Sequence, residues 1–433
     1  MKNILLITTD QQSFDMLSCA GNQYLNTPTM DLLAYDGIRF ENAYVAQPLC
    51  IPQRCSWYTG LMPHEHGLTF NLRAEEKDIK ADFMLGAIFR DAGYKTGYSG
   101  KWHINISPDN KDFHGFEWLS NIRCNGADQF ISDDFKRFLK EIGNEPFLFS
   151  ASYNNPHNIC EAARGGPFHD GSPGMFENIN QLPPLPDNFF PPQGEPSIIR
   201  EVQNIYKNKN YPTANWDEIR WRIHRWFYCR IVEILDRQIG KLMDILLQSE
   251  KADNTIVVFT SDHGEGNAHH KWNQKQTLYD EVTKVPFIIT KPGSKINRVE
   301  KEQLVNTGID LFPTLCGLAE IDVPPSLKGI NWADILENKI PKKRDHLIIE
   351  TEFGTFGKPL GILGRAVRTS QFKYMIYSKG QNKEFLADMI NEPGETQNLI
   401  NKPEYNKYLQ SHRQLLKNYI IESKDIFPIS IIE

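Results

Sequence analysis

Short unbroken apolar runs alternate with segments whose apolar residues recur every three or four positions. The run "NILLITTD" turns polar only at its end, the pattern of a strand buried on both faces of a parallel sheet. "TPTMDLLAYDG" predicts a helix, with Thr27 as cap and Pro28 at the first helical position. "DFMLGAIFRDAGYKTGYSG" predicts a helix, a glycine stop and a short strand, and "PFLFSASYN" another strand. "WRIHRWFYCRIVEILDRQIGKLMDILLQ" predicts a long helix with an apolar stripe at Ile231, Ile234, Leu235, Ile239, Leu242 and Leu246. "NTIVVFTSDHG" and "VPFIIT" complete the strands. This alternation predicts an α/β fold with a mostly parallel central sheet flanked by helices.

Two regions depart from that rhythm. Residues 165–196 contain "LPPLPDNFFPPQGEP", too rich in proline for a helix or a central strand, and predict an extended surface loop. After about residue 340, "HLIIETEF", "GRAVRTSQFKYMIYS" and "KEFLADMINEP" predict short antiparallel strands. The amphipathic helix "NKYLQSHRQLLKNYIIES" then closes the chain. The expected organisation is a large α/β domain over 1–340 and a small α+β subdomain over 341–433. There is no internal repeat.

Composition narrows the function. The 433 residues exceed one small core, and the 40% hydrophobic and 24% charged content is that of a soluble globular chain. A net charge of −6 argues against a nucleic-acid partner, so positive charge for an anionic ligand must be local. The seven cysteines are scattered without a C-x-x-C pair, which argues against a disulfide framework or structural zinc. No run of 18 apolar residues predicts a membrane span, and the N-terminus lacks the form of a signal peptide. As numbered, a cytoplasmic protein is expected, or a periplasmic one if an export signal has been removed.

Ligands in an open α/β sheet gather at the carboxyl ends of the strands. Asp10 and Gln11 end the first strand, and "SGKWH" places Lys101 and His103 after another. "NNPHN" places His157 after a third, and "SDHGEG" places Asp262 and His263 after "TIVVFT". Each alone has a bland reading: a terminal acid is often a helix cap, and a lone histidine is often structural. Together, two aspartates and a histidine offer ligands for one divalent cation, with Gln11 adding a neutral oxygen. Lys101, His103, His157 and Lys275 add cations and proton donors. Such a set suits hydrolysis of a phosphate or sulfate ester. "LCIPQRCSWYTG" puts Cys50 at the start of a helix, where free N–H groups favour negative charge, with Pro52 at an early position and Arg54 one turn above. Physical chemistry alone makes Cys50 a low-pKa thiolate.

Cys50-Ile51-Pro52-Gln53-Arg54 followed by Thr59-Gly60 resembles the sulfatase signature C-x-P-x-R-x-x-x-x-T-G. "NILLITTDQQ", "TPTMDLLAYDGIRFENAYV", "GYKTGYSGKWH", "FTSDHGEG", "KQTLYDEVTKVPFII", "TGIDLFPTLCGLAEIDVP" and "FLADMINEPGETQNL" resemble further family blocks, in order, across nearly the whole chain. The chain is thus similar to the formylglycine-dependent (type I) sulfatases, and the resemblance implies an alkaline-phosphatase-like fold. It also implies that a maturation enzyme oxidises Cys50 to formylglycine. The aldehyde's hydrate then attacks sulfur through one hydroxyl and expels sulfate through the other, a step no thiol can perform.

Carried over residue by residue, Asp10, Gln11, Asp262, His263 and the modified Cys50 are the implied metal ligands. Calcium is the first expectation, with magnesium or manganese as alternatives. Arg54 is implied to orient the nucleophile, Lys101 and Lys275 to grip sulfate, His103 to assist the cycle and His157 to protonate the leaving oxygen. Lys271 competes for the Lys275 role, but the spacing to Leu278-Tyr279-Asp280-Glu281 favours Lys275. The implied substrate is a small-molecule or oligosaccharide sulfate ester, with a sulfated sugar expected. His64, His66, Arg73, Arg123, Arg164, His169 and the proline-rich loop are expected at the entrance.

The pairs Asp10-Gln11 and Asp262-His263 depart from the common Asp-Asp and Asp-Asn. They are reminiscent of choline sulfatases and phosphonate monoester hydrolases, which keeps phosphonate monoester or phosphodiester hydrolysis as an alternative. An inactive binding protein is the third reading.

Overall fold

The computed structural model describes every residue except 73–77, 208–210, 340–342, 356 and 433. Eight strands make the first sheet: β1 (Asn3–Asp10), β2 (Gly37–Tyr44), β3 (Lys95–Gly100), β4 (Trp118–Ser120), β5 (Phe147–Pro156), β6 (Thr255–Ser261), β7 (Phe287–Thr290) and β8 (Arg298–Asn306). Their order is β4-β3-β5-β1-β6-β7-β2-β8. All neighbours are parallel except β7, which runs antiparallel to both β6 and β2. The "VPFIIT" strand is therefore the one reversed member of the mostly parallel sheet that the sequence predicts.

The unbroken apolar character of β1 has a direct cause. Successive side chains point to opposite faces, and helices cover both. Ile4 and Leu6 pack with Ile51 and Trp57 of the helix Cys50–Thr59 and with Leu311 and Leu315. Leu5 and Ile7 pack with Met30 and Leu33 of the helix Pro28–Tyr35 and with Ile231, Leu235 and Ile239 of the long helix Glu218–Leu247. Each such fully buried aliphatic side chain stabilises by about 1.5–3 kcal/mol. The whole predicted stripe of the long helix is buried, and Asp217 caps its start by accepting the Arg220 N–H at 2.8 Å. Residues 165–196 run without helix or strand apart from one short turn at Ile179–Gln181 and a single bridge from Gln193 to Gln397.

The second sheet is an antiparallel meander of β9 (His346–Thr355), β10 (Lys358–Thr369), β11 (Phe372–Tyr377) and β12 (Glu384–Asp388). One face packs under the helix Asn406–Ser423, with Ile348, Tyr374 and Leu386 against Leu409, Leu416 and Ile420. The other face, including Ile349, Phe353 and Met375, packs on Tyr44, Leu278 and Val282 of the larger layer. The predicted boundary near residue 340 lies outside the described residues. Among the described residues no helix is long and apolar enough to cross a membrane.

Candidate active site

β3, β5, β1 and β6 are neighbours, so one edge of the sheet collects everything their ends carry: Lys101 and His103, His157, Asp10 and Gln11, Asp262 and His263. The backbone bends sharply there. Gln11 takes a φ of 75° and His103 one of 42°, left-handed values that cost non-glycine residues about 1–3 kcal/mol and recur at functional sites. Lys275 is bracketed by two more, Gln274 at 82° and Gln276 at 78°.

Cys50 is the first residue of its helix, after an extended Leu49, and is fully buried. Its sulfur lies 3.0 Å from Lys275 Nζ, 3.2 Å from His263 Nε2 and 3.8 Å from Asp10 Oδ1. The His263 ring is oriented by its own Nδ1, 2.9 Å from the Gly264 carbonyl oxygen. Arg54 lies one turn on, as its spacing predicts, yet its guanidinium faces the carboxylates. Nε donates to Asp262 Oδ2 at 2.8 Å, Nη2 to Asp10 Oδ2 at 3.3 Å and Nη1 to Ser152 Oγ at 2.8 Å. Lys101 Nζ lies 2.7 Å from Asp10 Oδ2 and donates to Asn154 Oδ1 at 3.2 Å.

His103 and His157 are half-buried, and the Nδ1 atom of each is buried without a hydrogen-bond partner. Orphaned buried nitrogens are costly and mark places where another group docks. His157 follows a strand end that is pinned from below. Asp128 accepts the Asn154 and Asn155 N–H groups at 2.6 and 2.9 Å, and Asp170 accepts from the Asn154 and Asn158 amides at 2.9 and 3.2 Å.

Electrostatics follow from this crowding. Burial alone would raise the Asp10 carboxyl, but Lys101, then His157, Lys275 and Arg54, hold it well below the usual carboxylate range. Burial and the neighbouring Asp10 charge push Asp262 up to about 7 against His263 and Arg54. Burial and Asp10 oppose a charge on Cys50, yet Lys275, His263 and Lys101 prevail and hold the thiol well below its ordinary value. Burial, Lys101 and Lys275 push His157 far down, and burial pushes His103 down although the Cys50 sulfur hydrogen-bonds it.

Asp10, Cys50, Asp262 and His263 each offer one ligand atom, all within 4.8 Å of one another. Two carboxylates, one of them destabilised by the other, with an imidazole and a fourth donor are a fitting set for a divalent cation. The Gln11 carboxamide lies beside them. Its Oε1 is 3.4 Å from Lys275 Nζ, and its Nε2 donates to Glu265.

Sequence reasoning passed over Glu265, although it stands in "SDHGEG". This buried carboxylate also accepts the Gln274 N–H at 2.8 Å and meets His224 Nε2 at 3.3 Å, which ties Gln11 to the Lys275 loop. An acid three residues after Asp262 was the available signal. Asn154 and Ser152, which hold Lys101 and Arg54, carry no comparable mark in the sequence.

Lys275, not Lys271, reaches the site, since the Lys271 ammonium lies over the rings of Phe189 and Phe190. Two expected entrance residues are corrected. His66 is fully buried, 3.2 Å from both Ser56 Oγ and the Pro52 carbonyl. His64 Nδ1 pairs with Glu350 Oε1 at 2.5 Å beneath the second sheet. Both imidazoles are held by buried protein partners. Arg123, Arg164 and His169 are exposed, and Arg73 lies outside the described residues.

A family model described as Sulfatase matches residues 2–321, and one described as N-sulphoglucosamine sulphohydrolase, C-terminal, matches residues 268–422. The chain is 32% identical to a Delta 4,5-hexuronate-2-O-sulfatase of Bacteroides thetaiotaomicron, over 98% of this chain and 89% of the relative. It superposes on the solved structure of a 2-O GAG sulfatase with a TM-score of 0.84 at 30% identity, covering 98% and 93% of the two chains. The phosphonate monoester hydrolase of Agrobacterium radiobacter shares the fold, with a TM-score of 0.78 at 21% identity and coverage of 98% and 96%.

Proposed function

We propose that this chain, which belongs to the sulfatase family and is a sulfuric ester hydrolase, removes a sulfate group from a carbohydrate through a formylglycine formed at Cys50. The observation that carries the reading is the placement of Cys50 Sγ, 3.0–3.8 Å from Lys275, His263 and Asp10 at the head of a helix. A carbohydrate substrate is supported by two relatives at 30% identity or more whose names specify a hexuronate and a GAG.

Asp10, Asp262 and His263 would hold a divalent cation together with the residue at position 50, and Gln11 would steady their edge. The cation supplies electrophilic polarisation of a sulfate oxygen, and the formylglycine hydrate supplies the attacking hydroxyl. The remaining work belongs to the chain. Lys101 and Lys275 fix the sulfate oxygens and stabilise charge that grows on them. Arg54 holds both aspartates in place through its bonds to Asp262 and Asp10 and opposes the protonation of Asp262. The His157 imidazole donates a proton to the departing sugar oxygen. A sulfate monoanion bound between Lys101 and Lys275 would offset two of the charges that, with burial and His263, hold His157 down. His103, hydrogen-bonded to the side chain at position 50, would accept a proton from it.

Mass spectrometry of the peptide carrying Cys50, after co-expression with a formylglycine-generating enzyme, tests this reading. An aldehyde at position 50 is expected. An intact thiol in a protein that binds no divalent cation would leave only the binding-protein reading. Matched sulfate and phosphate esters then decide the reaction: a higher kcat/KM for the sulfate is expected, and a higher value for the phosphate would overturn it.

A further inference from the structure

The ammonium of Lys271, the lysine that does not reach Cys50, lies 4.8 Å from the ring centre of Phe190 and 5.3 Å from that of Phe189. It has no hydrogen-bond or ion-pair partner among the described residues. Its backbone is fixed: φ is 50°, and its carbonyl accepts from Gln203 Nε2 at 2.8 Å. Phe190, in the proline-rich loop, is 67% exposed. These three side chains border a cavity of about 380 Å³ whose wall continues through Trp221 and Trp216. Trp216 also borders a second cavity of about 520 Å³, and there the Arg220 guanidinium lies 4.8 Å over its ring. The Arg220 guanidinium has no anion partner among the described residues either.

The two cavities therefore share an indole, and each has a cation without an anion partner set against an aromatic face; Arg200, which also lines the first, is held by Glu195 at 2.7 Å. Flat rings accept the C–H faces of sugars, and cations held beside them accept sulfate or carboxylate groups. The lining acid Glu218 is a hydrogen-bond acceptor of the kind that suits sugar hydroxyls. The second cavity also has Ala162 in its wall, and the helix Asn158–Ala163 that carries it begins directly after His157. At about 1.5 Å of rise per residue, that is on the order of 8 Å from the strand-end site.

We propose that this pair of aromatic cavities is a second carbohydrate subsite, in which Lys271 binds an anionic group of a sugar residue beyond the one being hydrolysed and Phe190 and Trp216 provide stacking faces. It rests on the carbohydrate-sulfatase reading and makes the substrate an oligosaccharide with at least two anionic residues.

The test uses heparin and chondroitin sulfate tetrasaccharides, titrated calorimetrically into the full chain carrying Cys50→Ala so that nothing turns over. Lys271→Ala and, separately, Phe190→Ala are added to that background, with Lys407→Ala on the exposed side of the C-terminal helix as a control for one lost charge. A rise in Kd of about tenfold or more is expected for Lys271→Ala, the size of one charge-assisted contact, and a smaller rise for Phe190→Ala. Lys407→Ala is expected to bind as the parent does. An unchanged Kd in Lys271→Ala, an equal loss in Lys407→Ala, or no binding of either tetrasaccharide by the parent would overturn the proposal.

Turnover is read apart, in chains that keep position 50. Lys271→Ala should leave aryl sulfate kcat/KM unchanged, while KM for a cleaved tetrasaccharide rises and kcat holds; an equal loss on aryl sulfate would also overturn the subsite. Lys271-dependent binding with no sulfate ester hydrolysed would sink the sulfatase mechanism and leave the subsite standing.

Discussion

This molecule buries two clusters of charge, and both gather acids and a histidine closely enough to resemble metal sites. One lies at the strand ends: Asp10 and Asp262 with Arg54, Lys101 and Lys275. The other joins the second sheet to the larger layer. There Arg365 takes Asp425 with two bonds of 2.6 Å, and Glu350 receives His64 at 2.5 Å and the Tyr419 hydroxyl at 3.2 Å. Their bookkeeping differs. The second cluster sets two carboxylates against one arginine and one histidine, and every carboxylate has strong donors. Once Cys50, whose thiol is held well below its ordinary value, is converted to the uncharged aldehyde proposed above, the first sets two carboxylates against three permanent cations, with unpartnered imidazole nitrogens at its rim. Balance makes a lock, while surplus positive charge in a low-dielectric site leaves room for an anion.

The contrast breaks most visibly at position 50. Cys50→Ala should lower turnover of an aryl sulfate by roughly 10⁴-fold or more, as loss of a nucleophile does, while the melting temperature stays near that of the parent. Retained turnover would remove position 50 from the reaction. In the lock the pattern should invert. Arg365→Met leaves Asp425 and Glu350 buried without their guanidinium and should cost about 3–5 kcal/mol in chemical denaturation, with kcat per folded molecule preserved. A stable Arg365→Met protein would show that the second cluster is not structural.

Lys101→Ala is expected to lose about 2–4 kcal/mol of transition-state stabilisation, read mainly in kcat; an unchanged rate would place Lys101 outside the chemistry. The smallest effect concerns pH. Burial lowers His64, but the hydrogen bond and charge of Glu350 raise it above its ordinary value. A raised folded-state pKa gives stability that is complete below the unfolded value and lost as pH rises through the folded one. The melting temperature of the wild type should therefore fall more than that of His64→Gln on going from pH 6 to pH 9, by on the order of 1 °C. Parallel pH curves would mean that His64 is neutral in the lock.

Much of this was legible in the sequence, for stated reasons. Helices and central strands follow from apolar spacing, because burial on one face or two leaves a periodic mark. β1, the long helix and the antiparallel C-terminal strands are all anticipated, though not that they number four. The reversal of β7 is not, since an apolar run of four residues carries no direction. The strand-end residues were legible because acids, lysines and histidines are conspicuous at the polar end of an apolar run. Arg54 was placed on the right turn, but its attachment to Asp10 and Asp262 depends on strands 44 and 208 residues away. His64 and His66 misled because loop position does not reveal a buried partner; Glu350 is 286 residues from His64.

All ten residues of the helix Cys50–Thr59 are buried, Cys50 and Arg54 completely. A modifying enzyme that must grip Cys50, Pro52 and Arg54 has no purchase on them once the chain has closed. Under the proposed chemistry, conversion of Cys50 therefore belongs to biosynthesis. It competes in time with packing of the helix Cys50–Thr59 onto β1, β5 and β6, and a molecule that folds first is permanently barren. Specific activity in any preparation would then report the outcome of that race, with fully folded, thermally normal protein on both sides of it.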